Sequence, residues 1–143
     1  MSEINSTPIP QGKYVPSTRF GYLVYTAGMT PRKNGVLIMT GKVKKDEPLE
    51  TYKEAVRQAA ENALTAACLQ IIAGEQIEQI LSMTVYVNAE EGFTAHAKIA
   101  DFASDYLAER LGNRSAMARV SVGVASLPGN APVEIQLVCS LED

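Results

Sequence analysis

Three features of this chain predict an α+β fold in which two helices pack on one face of a mixed sheet. Apolar residues recur at helical spacing in two long stretches. The other patterned segments alternate with period two or are rich in β-branched and aromatic residues. The elements run in the order strands, helix, strand, helix, strand, strand, which is the α+β pattern. At 143 residues, the chain has room for one domain, 1–143, with an irregular arm at 1–12.

The arm holds Pro8 and Pro10 and shows no periodicity, and Tyr14-Val15 begins a short edge strand before Pro16. Residues 22–28 form a strand. Residues 31–35 turn around Asn34-Gly35, and 36–43 return to complete a hairpin. After Pro48 the period changes. Tyr52, Val56, Ala59, Ala60, Ala63, Leu64, Ala67, Ile71 and Ile72 trace one stripe of a helix over 49–73. It starts near the capping spacing of Thr51 and Glu54 and is stopped by Gly74. Its many alanines imply close packing against a flat partner, most simply a sheet.

Residues 80–87 make the next strand, with Leu81, Met83, Val85 and Val87 on one side. A second helix opens at Asn88 as its cap, carries acids in its first turn and ends at Gly112. Two strands close the chain. Val120, Val122 and Val124 point to the core in the first, leaving Arg119, Ser121 and Gly123 opposite. In the second, Val133, Ile135 and Leu137 point inward, leaving Glu134 and Gln136 opposite. A cation, a hydroxyl and a carboxylate are thus expected on one non-core surface. Two helices cover one face only. The other face, with Tyr86, Thr84, Val138 and Arg119, is too apolar to stay wet and calls for a second copy.

Composition narrows the function. Hydrophobic residues make up 46% and charged residues 20%, ordinary for a globular domain. Thirteen basic residues against sixteen acidic give a net charge of -3. The densest basic run is Lys42-Val43-Lys44-Lys45, a solvated strand end or loop, so no nucleic-acid partner is expected. No apolar run is long enough for a membrane span. The N-terminus also lacks the basic start and apolar centre of a leader, so a cytoplasmic location is expected. Cys68 and Cys139 sit in apolar contexts and His96 is the one histidine, so neither a disulfide framework nor a metal site is indicated. His96 reads as an exposed or half-packed helix residue.

The segment from Arg119 through Leu127-Pro128 to Val133-Glu134-Ile135 resembles the Rid family, also called YjgF or L-PSP, whose members carry an arginine, Leu-Pro eight residues later, and an acid in a Val/Ile-Glu-Ile strand. The likeness runs from about Tyr14 to the C-terminus. It implies a chorismate-mutase-like fold, a homotrimer with sites at the subunit interfaces, and cofactor-free deamination of 2-imino or enamine acids to 2-oxo acids and ammonia.

In that reading, Arg119 binds the carboxylate of a small metabolite, for which a guanidinium fork is suited, and Glu134 orients or activates the attacking water. Ser121, where deaminase members often carry cysteine, contacts ligand, and Tyr14 closes over it. Gly28 lets the backbone approach the ligand, and Asn88 occupies a ligand-contacting position in some members. The residues alone leave other roles open: an ion pair for Arg119 with Glu134 or an interface acid, a strand-end turn for Gly28, and a helix cap for Asn88. The family's Ser-Gly-Gln is Ala27-Gly28-Met29 here, and its Gly-Pro-Tyr is Gly12-Lys13-Tyr14. A non-catalytic carboxylate-binding or interaction trimer is the alternative, and an endoribonuclease or translation inhibitor a more distant one.

Overall fold

In the computed structural model, which describes residues 7–143, the chain runs irregularly to Pro16. Residues 1–6 of the expected arm lie outside the described residues. The first strand, β1, spans Ser17–Phe20 and follows Pro16 rather than starting at Tyr14. The Tyr14 amide donates to Gly12 O at 3.0 Å, which turns the chain there instead of extending it. A turn at Gly21 (φ 60°) leads to β2, Leu23–Thr26, antiparallel to β1.

Asn34 and Gly35 both have positive φ, as a two-residue hairpin turn requires. The hairpin differs from the expected one. It joins β3 (Arg32–Lys33) to β4 (Val36–Leu37) as a two-stranded ribbon apart from the main sheet. The strand expected at 36–43 ends at Leu37. Gly41 (φ 108°) redirects the chain, and only Val43 returns to bridge Ala89.

Helix α1 covers Lys53–Cys68 after a 3-10 turn at Leu49–Tyr52. Thr51 makes no capping bond; Pro48, with φ of -58°, sets the first turn. The helix stops short of Ala73 and the chain turns through 69–73, leaving Ile72 exposed. The alanine stripe itself is fully buried, from Ala55 to Ala67.

Strand β5 is Gln76–Asn88, longer than expected. A register shift between Ile80 and Ser82 throws Leu81 out of the core, while Ile77, Ile80, Met83, Val85 and Val87 stay buried. Helix α2 is His96–Leu111 and ends at Gly112 (φ 59°). It starts well after Asn88, which is the last residue of β5 and caps nothing.

The closing strands are β6 (Ala118–Val124) and β7 (Val133–Glu142). The sheet order is β1-β2-β7-β5-β6, with β6 parallel to β5 and β7 antiparallel to both β5 and β2. The two strands therefore flank β5 instead of pairing, and β6 is an edge. This register decides which face each residue takes. Arg119, Ser121 and Gly123 align with core-facing Met83, Val85 and Val87, so they face the helices. Val120 and Val122 align with Thr84 and Tyr86 on the open face, where they are 54% and 39% exposed.

The expectation that these valines lie in the core is corrected. An edge strand is covered only by α2, and small residues at 121 and 123 let that helix come close. A Cβ on Gly123 would lie 2.7 Å from His96 Nε2. β7 matches expectation: Val133, Ile135 and Leu137 are fully buried, and Glu134 and Gln136 sit on the open face. Phe20, Tyr25, Val120 and Val122 leave that face exposed and apolar.

Candidate functional site

Glu134 lines a cavity of about 460 Å³, within the usual size of a small-molecule site. Its position follows from the end of β2. The chain leaves β2 at Thr26, and Met29 pairs with Ile135 through N–H to O bonds of 2.7 and 2.9 Å. That pairing lays Gly28 across Glu134. A Cβ at residue 28 would overlap the Glu134 carboxylate, standing 2.9 Å from Cδ and closer to Oε2. Only glycine lets the strand end pass over the acid. Tyr14, Ala27, Met29 and Pro128 line the same cavity. Among the described residues, the Glu134 side chain has no hydrogen bond or ion pair. Burial is the cause that pushes its pKa above the ordinary carboxylate value.

Three of the residues expected in the site, Glu134, Gly28 and Tyr14, are brought together. Tyr14 is held by its hydroxyl, which accepts from the Gln11 amide at 3.0 Å. Arg119 is not with them. Facing α2 from the edge strand, it donates to Asp101 Oδ1 and Ser104 Oγ at 2.9 Å and to Ala97 O at 3.1 Å. Within one chain, Arg119 and Glu134 are on opposite faces of the sheet, and the shared surface expected for them does not form. The reason is topological: β5 lies between their strands, and the parallel register of β6 sets the odd-numbered side chains inward. Arg119 pairs with Asp101, an acid of its own chain, and not with Glu134.

Ser121 lies beside Arg119 on the helix side, aligned with Val85. Asn88 is away from the cavity and fully engaged. Its Oδ1 accepts from Lys42 Nζ at 2.9 Å, and its Nδ2 donates to Ala131 O at 3.0 Å and Asn130 Oδ1 at 3.2 Å. It ties the 42 and 130 loops to the end of β5. His96 is half-buried, edge-on to Phe93 with ring centres 5.2 Å apart. Burial pushes the Cys139 thiol up to about 12, so it packs as an apolar group. Among the described residues, no cluster of three or more His, Cys, Asp or Glu side chains could hold a metal. Among the same residues, no helix is long and apolar enough to cross a membrane.

Arg32 and Asn62 are among the lining residues that escaped sequence reading. Arg32 reaches the cavity because the short hairpin folds back over it. Asn62 carries a signal that could have been noticed, an amide inside the alanine stripe. Its Nδ2 donates to Thr30 O at 3.1 Å and Arg32 O at 2.7 Å, fixing the hairpin to α1.

Comparison with known proteins gives a consistent picture. The family model described as Endoribonuclease L-PSP matches residues 4–140. A RutC family protein of Aquifex aeolicus is 31% identical over 141 residues, 96% of this chain and 98% of the relative. Protein TCP17 of Trypanosoma cruzi is 25% identical over 135 residues, 94% of this chain and 84% of the relative. Among solved structures, a protein of unknown function from Agrobacterium tumefaciens superposes with a TM-score of 0.84 at 30% identity, covering 96% of this chain and 87% of that one.

Proposed function

The chain belongs to the endoribonuclease L-PSP family, also called YjgF or Rid, and on that premise we propose that it is a cofactor-free deaminase of 2-imino or enamine acids. The observation that carries this reading is Glu134: a partly buried carboxylate without a partner among the described residues, made more basic by burial, at the wall of a small-molecule cavity. A 2-imino acid and water give a 2-oxo acid and ammonia. Glu134 accepts a proton from the water that adds to the imine carbon, then returns it to the departing nitrogen. Such substrates hydrolyse unaided, so modest positioning is enough to accelerate them.

The carboxylate anchor comes from a neighbouring copy. The exposed apolar face requires cover, and a homotrimer built on it sets the edge strand of one protomer against the cavity of the next. Arg119 stands on that edge strand. Its pair with Asp101, a side chain 59% exposed, is of the kind worth about 0–1 kcal/mol. Exchanging it for a substrate carboxylate therefore costs little. Ser121 stands beside Arg119 to offer a hydroxyl to the same ligand.

A non-catalytic carboxylate-binding trimer is the second reading. It is favoured by Ala27 and Met29, which give the cavity wall apolar groups where the family pattern has polar ones. RNA cleavage has less support, given the net charge of -3. Imine loss, followed in a coupled assay with an amino-acid oxidase as the source, separates the readings. Acceleration by wild type and its loss in Glu134→Gln support the deaminase. Carboxylate binding without acceleration supports the binder.

A further inference from the structure

Arg32 is the cation that shares a cavity with Glu134 inside one chain. Its guanidinium is incompletely used. Nη1 donates to Gly35 O at 2.9 Å, closing the hairpin turn. Nε is buried and, among the described residues, has no hydrogen-bond partner. Nη2 lies against the Pro128-Gly129 turn, 3.2 Å from where a Gly129 Cβ would be, and no described residue accepts from it. Nε–H and Nη2–H form one side of the guanidinium, the edge that meets a carboxylate through two parallel bonds. None of the salt bridges among the described residues involves Arg32.

Leaving a buried donor unpaired is costly, so a structure that keeps one beside a ligand-sized cavity invites an acceptor from outside. Glu134 is not that acceptor. Among the described residues, neither a hydrogen bond nor a salt bridge joins the two side chains. The hairpin role of Arg32 uses Nη1 only and leaves the other edge unexplained.

The geometry points to a second anion subsite at Arg32, which makes the substrate a 2-imino acid with an acidic side chain and the product a 2-oxo dicarboxylate. This rests on the deaminase reading above. With the reacting carbon at Glu134 and the α-carboxylate at Arg119 of a neighbouring copy, the distal carboxylate is the group left to meet Arg32. The fixed hairpin sets the distance: Asn62 holds the Arg32 carbonyl, so the fork does not drift.

Calorimetric titration of the intact oligomer with 2-oxobutyrate and with 2-oxoglutarate tests the subsite. A two-bond, charge-assisted contact gives wild type a preference for 2-oxoglutarate of about 10- to 100-fold. Arg32→Gln should bring that ratio close to one, and Arg32→Lys should leave an intermediate ratio, since the charge stays but the fork is lost. Thermal unfolding of each variant without ligand reports whether the hairpin survives. If Arg32→Gln does not fold, the wild-type and Arg32→Lys ratios decide. Equal wild-type affinities, or a ratio unchanged in Arg32→Gln, would overturn the subsite while leaving carboxylate binding intact. Equal weakening of both ligands would overturn it too, by making Arg32 the α-carboxylate anchor. Wild type binding neither ligand would instead refute the carboxylate reading on which the subsite depends.

Discussion

Gly28→Ala probes the packing that sets Glu134 in place. Gly28 does not have the positive φ that would exclude alanine, so the backbone tolerates the change and the added methyl is the whole perturbation. That methyl would overlap Oε2, stand 2.9 Å from Cδ and lie 3.1 Å from Cγ of Glu134. Either the carboxylate rotates away or the 27–29 segment lifts off β7, straining the Met29–Ile135 bonds. Overpacking of this kind costs about 1–3 kcal/mol. For a chain of this length, that is a fall in Tm of roughly 3–10 °C.

Imine hydrolysis should fall with it, because either the acid or the cavity wall laid over it is displaced. The decisive measurement is a double-mutant cycle with Glu134→Ala, read by urea unfolding. Once the side chain that the methyl meets is gone, Gly28→Ala should cost almost nothing, giving a coupling of about 1–3 kcal/mol. Equal costs in both backgrounds would show that Glu134 does not lie beneath Gly28, and the description of the site would fail.

Other parts of the structure carry their own tests. Arg19 grips Glu75 through two bonds of 2.6 and 2.7 Å; these and the Ile72 amide lower the carboxyl from 4.5 to about 2. A depressed pKa contributes stability that is present above pH 4.5 and lost as the pH falls towards 2. The stability gap between wild type and Glu75→Gln should therefore shrink across that window in acid unfolding; a constant gap would contradict the pair. Val122→Asp sets a charge on the exposed face; if the proposed trimer is built on that face, light scattering should show three chains for wild type and monomers for the variant, with helix content unchanged. An unchanged mass would move the interface elsewhere.

The sequence carried the fold more clearly than the site. Alternation in β7 and the alanine stripe of α1 were legible because each buries one face against the core along most of its length. The Leu81 bulge and the short β3–β4 ribbon were not, since a register shift and a glycine-directed turn leave the apolar pattern looking continuous. β6 misled for a different reason. Alternation reveals two faces without saying which is inside, and at this edge the valines face out while Ser121 and Gly123 admit α2. Family likeness supplied Glu134, Gly28 and Tyr14, which do share a cavity. It also suggested Asn88, which instead binds loops together. Arg32 was invisible, because the fold-back that brings it to the same cavity is a tertiary event.

The central claim is that Glu134 activates water in an interfacial cavity. Its most direct test is the rate of 2-imino acid loss with wild type, Glu134→Gln and Arg119→Ala at equal concentrations of oligomer. The account predicts acceleration by wild type. It predicts loss of that acceleration in Glu134→Gln with 2-oxo acid binding retained, and loss of both in Arg119→Ala. Glu134→Gln hydrolysing imines as fast as wild type would contradict it.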